Sequence, residues 1–342
     1  VILLLKNMMP VKIAINGFGR IGRAAFKIAL TYGDEIEVVA INDLGDIESL
    51  AYLLRYDSVY SRYGQGVKVE KGVMTVGEVR VAVLQEPDPV QLPWRDMGVD
   101  VVIESTGVFT EEEKARGHIK AGAKHVIISA PTKSEGVPTV VMGVNDEAMK
   151  GKEIISNASC TTNCAAPVAR VMNEAFGVKK ALLTTVHAYT ASQGLVDGPD
   201  KKDLRRGRAA AVNMVPASTG AAVAATLAMP ELKGKFDGVA IRVPLPVVSI
   251  SDFSFVVRKK VTVDKVNKAF REAVDNPLYR GVLAVTEEPV VSSDFIGDPH
   301  SAIVDLPMTR VVDGDLVKVM AWYDNEWGYS NRLVEQVIEW GK

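Results

Sequence analysis

The segment Asn16-Gly17-Phe18-Gly19-Arg20-Ile21-Gly22 sits between a short buried-strand pattern, Val11–Asn16, and an apolar helical pattern carried by Ile21, Ala24, Ala25, Ile28 and Ala29. Gly33-Asp34 breaks the helix, and Ile36–Asn42 reads as a second strand ending at Asp43. Strand, glycine turn, helix and strand make a βαβ unit, which requires a right-handed crossover and a parallel sheet. Three glycines at this spacing are weak evidence alone; here an acid also stands 21 residues beyond Gly22, at the end of the next strand. Gly17 permits the tight turn, Gly19 lets the backbone approach a pyrophosphate, and Gly22 lets the helix close on the strand. The helix N-terminus then faces the phosphate charge. Asp43 is placed to accept hydrogen bonds from adenosine ribose hydroxyls and to repel a 2′-phosphate, which favours NAD over NADP. The competing reading is a glycine turn with a surface aspartate.

Further patterns extend the sheet. Val99–Ser105 and His125–Ser129 read as buried parallel strands with a helix-like segment, Glu111–Ala121, between them, and Val137–Val144 reads as one more strand. After Ser156 the pattern changes. A helix starts near Cys160, with Cys164, Val168, Val171, Met172 and Ala175 on one stripe, and Pro167 inside it predicts a kink or a distorted first turn. Strand-like segments follow at Ala181–Tyr189, Val239–Val243, Ser249–Val257 and Val317–Tyr323. Thr190–Arg208 is polar and basic, too long for an ordinary connection, and reads as a functional loop. Ser330–Trp340 is amphipathic through Leu333, Val334, Val337 and Ile338, as expected of a docking helix.

A chain of 342 residues suits about two domains. With 47% apolar and 24% charged residues it is expected to be soluble and globular, and a net charge of −2 without a basic run disfavours dedicated nucleic-acid binding. No apolar run approaches the ~20 residues of a membrane span. Val1–Leu5 is too short for a signal segment, so residues 1–9 are expected to be an extension outside the fold, with Met8 or Met9 as the true start.

Only two cysteines occur, Cys160 and Cys164, which excludes a disulfide scaffold and fits a reducing cytosol. A cysteine at a helix start meets free N–H groups and the positive end of the dipole, both favouring thiolate. A nearby imidazole such as His187 could activate the thiol and later act as acid or base. Residue types alone leave this pair open, because lone cysteines are more often buried and inert. Core packing is expected of Cys164. Two cysteines and the scattered His118, His125 and His300 make no zinc set, so no metal is expected.

Four segments together resemble glyceraldehyde-3-phosphate dehydrogenases: Asn16–Arg23, Ser156–Cys164, Ala217–Ala222 and Trp322–Ser330. The resemblance runs in order from about Pro10 to the C-terminus. It implies a Rossmann-type, doubly wound NAD-binding domain (10–158, completed by the C-terminal helix 325–342) and an α+β catalytic domain with a mostly antiparallel sheet (159–324). It also implies an NAD-dependent phosphorylating aldehyde dehydrogenase that turns D-glyceraldehyde 3-phosphate into 1,3-bisphosphoglycerate. Cys160 would be the nucleophile, passing through a thiohemiacetal and a thioester, and His187 its base.

Asn16, Gly17, Gly19, Gly22, the Arg20 and Ile21 backbone, Asp43, Thr106, Gly107, Ser129, Asn325 and Tyr329 would contact the cofactor, with Asn325 holding the nicotinamide carboxamide. Thr190 and Arg242 would bind the substrate's C3 phosphate, and Ser159, Thr161, Arg206, Thr219 and Gly220 the attacking inorganic phosphate. The family also implies a cytoplasmic homotetramer without a membrane partner, with Thr190–Arg208 at a subunit interface. Ser192, Pro87, Gly198-Pro199 and the apolar stretch Val243–Ser249 depart from the family's common pattern. An erythrose-4-phosphate dehydrogenase, a hydrolysing relative, a cysteine hydrolase and a non-catalytic binding protein remain as rival readings.

Overall fold

A computed structural model describes residues 9–200 and 203–341; of the expected extension over residues 1–9, residues 1–8 lie outside the described residues. The chain forms two compact units, one taking in the described residues up to Pro138, Met149–Asn157 and the chain from Ser330 on, the other Thr139–Ala148 and Ala158–Tyr329.

The first unit is built on a sheet whose strands lie in the order Ile154–Ser156, His125–Ile128, Val101–Glu104, Val11–Asn16, Ile36–Asn42, Val79–Leu84, Val73–Val76 and Val67–Glu70. The first six run parallel to their neighbours. Covered on both faces, a parallel strand can be apolar throughout, and all four residues of Val101–Glu104 are buried. The expected βαβ unit is present, with helix Arg20–Ala29 between strands paired from Val11↔Ile36 to Asn16↔Asn42. Trp94, Val102, Ala115, Val126 and Ile128 anchor one core cluster.

The antiparallel edge is made by two hairpins. The first turns at Lys71-Gly72, both with positive φ (49° and 77°), the geometry a two-residue turn needs to match strand twist. Val137–Val144 is not a strand. Pro138 has no N–H to donate, Gly143 takes φ +76°, and Asn145 satisfies this backbone itself: its Oδ1 accepts from Val141 N at 2.8 Å and its Nδ2 donates to Thr139 O at 2.9 Å.

The second unit carries the strands Val215–Ser218, Phe236–Val243, Val178–Ala188, Ser249–Val257, Leu316–Tyr323, Ala302–Asp305 and Leu283–Thr286 in that order, with Arg310–Val312 also on Leu316–Tyr323. Two pairs are parallel, Val178–Ala188 with Phe236–Val243 and Leu283–Thr286 with Ala302–Asp305; the rest are antiparallel. Burial along Ser249–Val257 alternates residue by residue, so one face points to the core. There Phe253, Phe255, Val317 and Val319 join Cys164, Val168 and Met172 of helix Cys160–Phe176 and Phe270 of helix Val263–Val274. The first of these helices is continuous through Pro167. The chain ends in helix Trp327–Gly341. Among the described residues no helix is long and apolar enough to cross a membrane.

Candidate active site

In the first unit Gly17 and Gly22 are required by contact. At Gly17, with φ +93°, a Cβ would lie 2.7 Å from Thr106 N, and at Gly22 it would lie 2.0 Å from Gly17 O. At Gly19 a Cβ meets nothing within 4 Å, so that face is open, and as N-cap of helix Arg20–Ala29 it supplies no side-chain cap. A turn too tight for side chains and an open helix start fit a pyrophosphate. The Arg20 side chain is turned away onto Asp57 at 2.6 Å, leaving its backbone as its part in the turn. Asp43 is held by two amides: Oδ2 accepts from Phe18 N at 2.7 Å and Oδ1 from Gly45 N at 2.8 Å. Asn42 Nδ2 donates to Asn16 Oδ1 at 2.7 Å, and Ser129 N donates to Glu104 O at 2.9 Å. Thr106 and Gly107, the latter at φ +74°, follow the strand beside the glycine turn.

In the second unit Cys160 is the first residue of its helix. Ser159 caps it, Oγ accepting from Thr162 N at 3.1 Å, and Ala158 before it is buried at φ +56°. His187 closes on it from the end of Val178–Ala188, with 3.4 Å between Sγ and Nε2. Parallel pairing sets Arg242 opposite His187, and a guanidinium nitrogen lies 2.5 Å from His187 Nδ1 and 3.1 Å from Ala188 O. Ser249 Oγ accepts from Ala188 N at 3.1 Å and donates to Asn325 Oδ1 at 3.0 Å, which ties Asn325 to the strand that carries His187. Tyr329 OH donates to Ala158 O at 3.1 Å.

The polar residues expected at the two anion sites are only partly brought together. Thr190 Oγ1 lies 2.9 Å from Ser192 Oγ, which also accepts from Arg206 at 2.7 Å, so one hydroxyl joins a residue expected at each site. Thr219 Oγ1 accepts from Ala221 N at 3.2 Å, and Gly220 starts helix Ala221–Ala228 without a side-chain cap. Thr162 Oγ1 donates to Ala221 O at 3.3 Å, joining that turn to the start of the Cys160 helix. The Thr161 hydroxyl is buried and pairs with Tyr323 OH at 2.9 Å. Sequence reasoning missed Tyr323, whose hydroxyl also meets Thr185 Oγ1 at 2.8 Å, and gave Ser192 only as a departure from the family pattern beside the substrate phosphate. The Trp322–Ser330 segment carried the only signal for Tyr323.

The electrostatics correct one expectation. Burial pushes the Cys160 thiol above its ordinary value, while the Arg242 charge and hydrogen bonds around Thr161 pull it down. Cys160 is partly exposed, so burial constrains it less than Cys164, which is fully buried and has its thiol driven far up. Burial, and then Arg242, hold His187 down at about 3. A helix start and a histidine alone pointed to a depressed thiol; burial of the thiol outweighs them and reverses that direction.

Two family models match the chain. Residues 11–112 match the NAD binding domain, and residues 159–325 the C-terminal domain, of glyceraldehyde 3-phosphate dehydrogenase. Among curated relatives, glyceraldehyde-3-phosphate dehydrogenase 1 of Streptomyces avermitilis is 52% identical, over 96% of this chain and 98% of its own. The glyceraldehyde-3-phosphate dehydrogenase of Streptomyces coelicolor is 50% identical over the same shares. That of Mycolicibacterium smegmatis is 50% identical over 98% of this chain and 99% of its own.

Proposed function

Since the chain belongs to the glyceraldehyde-3-phosphate dehydrogenase family, we propose that it oxidises D-glyceraldehyde 3-phosphate to 1,3-bisphosphoglycerate with NAD and inorganic phosphate. The observation that carries this reading is the 3.4 Å approach of Cys160 Sγ to His187 Nε2 at a helix start, with Arg242 beside the histidine.

Cys160 Sγ attacks the aldehyde carbon, and the thiol proton passes by way of His187 Nε2 to the carbonyl oxygen, which becomes the thiohemiacetal hydroxyl and leaves Nε2 free again. His187 Nε2 then takes that hydroxyl proton as the C–H bond breaks. NAD, when bound, supplies the hydride acceptor. The product of this half-reaction is a thioester on Cys160. A phosphate oxygen attacks its carbonyl, the Cys160–carbon bond breaks, and the acyl phosphate leaves with the thiolate restored. The Cys160 N–H and His187 stabilise the oxyanions, an effect often worth about 3–4 kcal/mol per donor.

Arg242 and Thr190 take the C3 phosphate; Arg206, Thr219, Gly220, Ser159 and the Thr161 backbone take the attacking phosphate. Guanidiniums, hydroxyls and amides suit phosphate oxygens. Asn16, the Gly17–Gly22 turn, Asp43, Thr106, Gly107, Ser129, Asn325 and Tyr329 serve the cofactor. The protein works in the cytoplasm as a homotetramer, with domains at 10–158 plus 325–342 and at 159–324. Leu195, Val196 and Leu204, exposed by 74%, 77% and 86% in the Thr190–Arg208 loop, support assembly there, since apolar side chains grouped in one loop are typical of interfaces.

One assay tests the activity: NADH formation from glyceraldehyde 3-phosphate, NAD and phosphate, repeated with NADP, without phosphate and with erythrose 4-phosphate. No turnover of glyceraldehyde 3-phosphate, or turnover indifferent to phosphate, refutes it. Sedimentation at micromolar concentration tests the tetramer.

A further inference from the structure

The first unit buries a carboxylate that the chemistry above does not use. Glu104 ends the strand Val101–Glu104 at 2% exposure, and four donors converge on it. Oε2 accepts from Asn16 Nδ2 at 2.5 Å and lies 3.0 Å from His118 Nε2. Oε1 accepts from Thr106 N at 2.9 Å and from the Thr106 hydroxyl. The strand is deep in the sheet, and a charge placed there is retained only if its lone pairs are fully used.

The direction of every proton in this group is fixed from both ends. Indole N–H can only donate, and Trp94 Nε1 donates to His118 Nδ1 at 3.0 Å. The His118 proton therefore sits on Nε2 and points at Glu104. At the other end Asn42 Oδ1 accepts from Glu86 N at 2.9 Å and Asn42 Nδ2 donates to Glu86 O at 2.9 Å, so this amide cannot turn over. Asn42 Nδ2 also donates to Asn16 Oδ1, so Asn16 must present its NH2 to Glu104. The Thr106 oxygen accepts from Val108 N at 3.1 Å, which leaves its hydroxyl proton for Glu104. Between Trp94 and the Glu86 peptide only an acceptor-only group satisfies all the neighbours, and a carboxylate is one.

The two backbone segments so held are those that frame the glycine turn. Asn16 immediately precedes Gly17, and Gly17 is packed so closely on Ser105–Thr106 that a Cβ would fall 2.7 Å from Thr106 N. Ser105 Oγ donates to Gly17 O at 2.7 Å across the same seam. We propose that Glu104 is a positioning residue for dinucleotide binding: its ionised carboxylate clamps Asn16 to Thr106 and so sets the aim of the N–H groups of the glycine turn, with Trp94 and His118 fixing the polarity of the clamp. This rests on the reading of that turn as the NAD site.

The test compares Glu104→Gln with the unmodified protein by calorimetric titration of NAD and of ADP-ribose, at a temperature where both are folded. The amide nitrogen faces donors it cannot bond, so the turn shifts. Both dissociation constants are expected to rise on the order of tenfold, while the Michaelis constant for glyceraldehyde 3-phosphate at saturating NAD stays unchanged. Adding Trp94→Phe frees His118 to carry its proton on Nδ1 and accept from the glutamine, so Glu104→Gln with Trp94→Phe should regain part of the lost affinity. Mere loss of packing predicts the opposite, a further loss in the double variant. If Glu104→Gln does not fold, Trp94→Phe alone serves, with both dissociation constants expected to rise a few-fold.

Unchanged NAD affinity in the folded Glu104→Gln variant, or in Trp94→Phe where only that variant folds, overturns the proposal, as does a double variant weaker than either single one. Failure of the unmodified protein to bind NAD at all is a different outcome and refutes the cofactor reading instead.

Discussion

Arg242 places a guanidinium nitrogen 2.5 Å from His187 Nδ1, on the side of the imidazole ring away from Cys160. Ala188 O, which can only accept, lies 2.7 Å from the same Nδ1, so Nδ1 carries the ring proton and Nε2 faces Sγ as an acceptor, with the guanidinium beside it as a fixed charge. The fixed positive charge also opposes a second proton on the ring. The residue expected to grip the substrate phosphate thus also acts on the base, through the imidazole.

Arg242→Ala is therefore expected to raise the Michaelis constant for glyceraldehyde 3-phosphate by an order of magnitude or more, since a charge-assisted contact contributes about 1.5–3 kcal/mol. The constant for NAD should stay within about twofold. Steady-state kinetics with each substrate varied in turn check this, and an unchanged aldehyde constant removes Arg242 from the phosphate site.

The pairing of His187 with Arg242 shows where the sequence stops being legible. The glycine turn, Asp43 and the first strands are local: spacing and period fix them within about thirty residues, and the structure has them at those positions. His187 and Arg242 are 55 positions apart and meet only because their strands pair in parallel, which no local pattern announces. Tyr323 reaches Thr161 across 162 positions. Apolar Val137–Val144 looked like a strand, yet Asn145 took over its hydrogen bonds, a side-chain substitution that period counting does not detect.

Asp43→Ala is expected to weaken NAD and to narrow the preference over NADP. The carboxylate repels a 2′-phosphate, and it also ties Phe18 N to Gly45 N. The ratio of kcat/KM for the two cofactors measures this, and equal efficiency with both in the unmodified protein counts against the assignment.

His187 also predicts a pH dependence of stability. In the folded protein it stays neutral down to about 3, against an ordinary value of 6.5, because burial and then Arg242 disfavour the cation. Below pH 6.5 the unfolded chain therefore binds a proton that the folded chain refuses. The contribution is fully present above that pH and falls by roughly 1.4 kcal/mol per unit as pH drops toward the folded value. Urea unfolding at pH 7 and pH 5.5, at one protein concentration, should show a larger loss for the unmodified protein than for His187→Asn. Parallel losses would mean that His187 is not held neutral.

The two cysteines should differ sharply in reactivity. Cys160 is partly exposed, has the Arg242 charge and the Thr161 hydrogen bonds to support a thiolate, and lies 3.4 Å from an imidazole. Cys164, one turn along the same helix, is fully buried and its thiol is driven up by burial. Iodoacetamide should therefore modify Cys160 while Cys164 stays protected until the protein unfolds, because the thiolate is the reacting form. Alkylation of one residue should abolish dehydrogenase activity. Cys160→Ser should lower turnover by roughly 10⁴-fold or more, as expected when a nucleophile is lost from a unit that acts together. NAD affinity should be kept, since the glycine turn and Asp43 are untouched. Peptide mapping after partial alkylation, with activity followed alongside, gives the answer: label on Cys164 at the point of half inactivation would show that Cys160 is not the nucleophile.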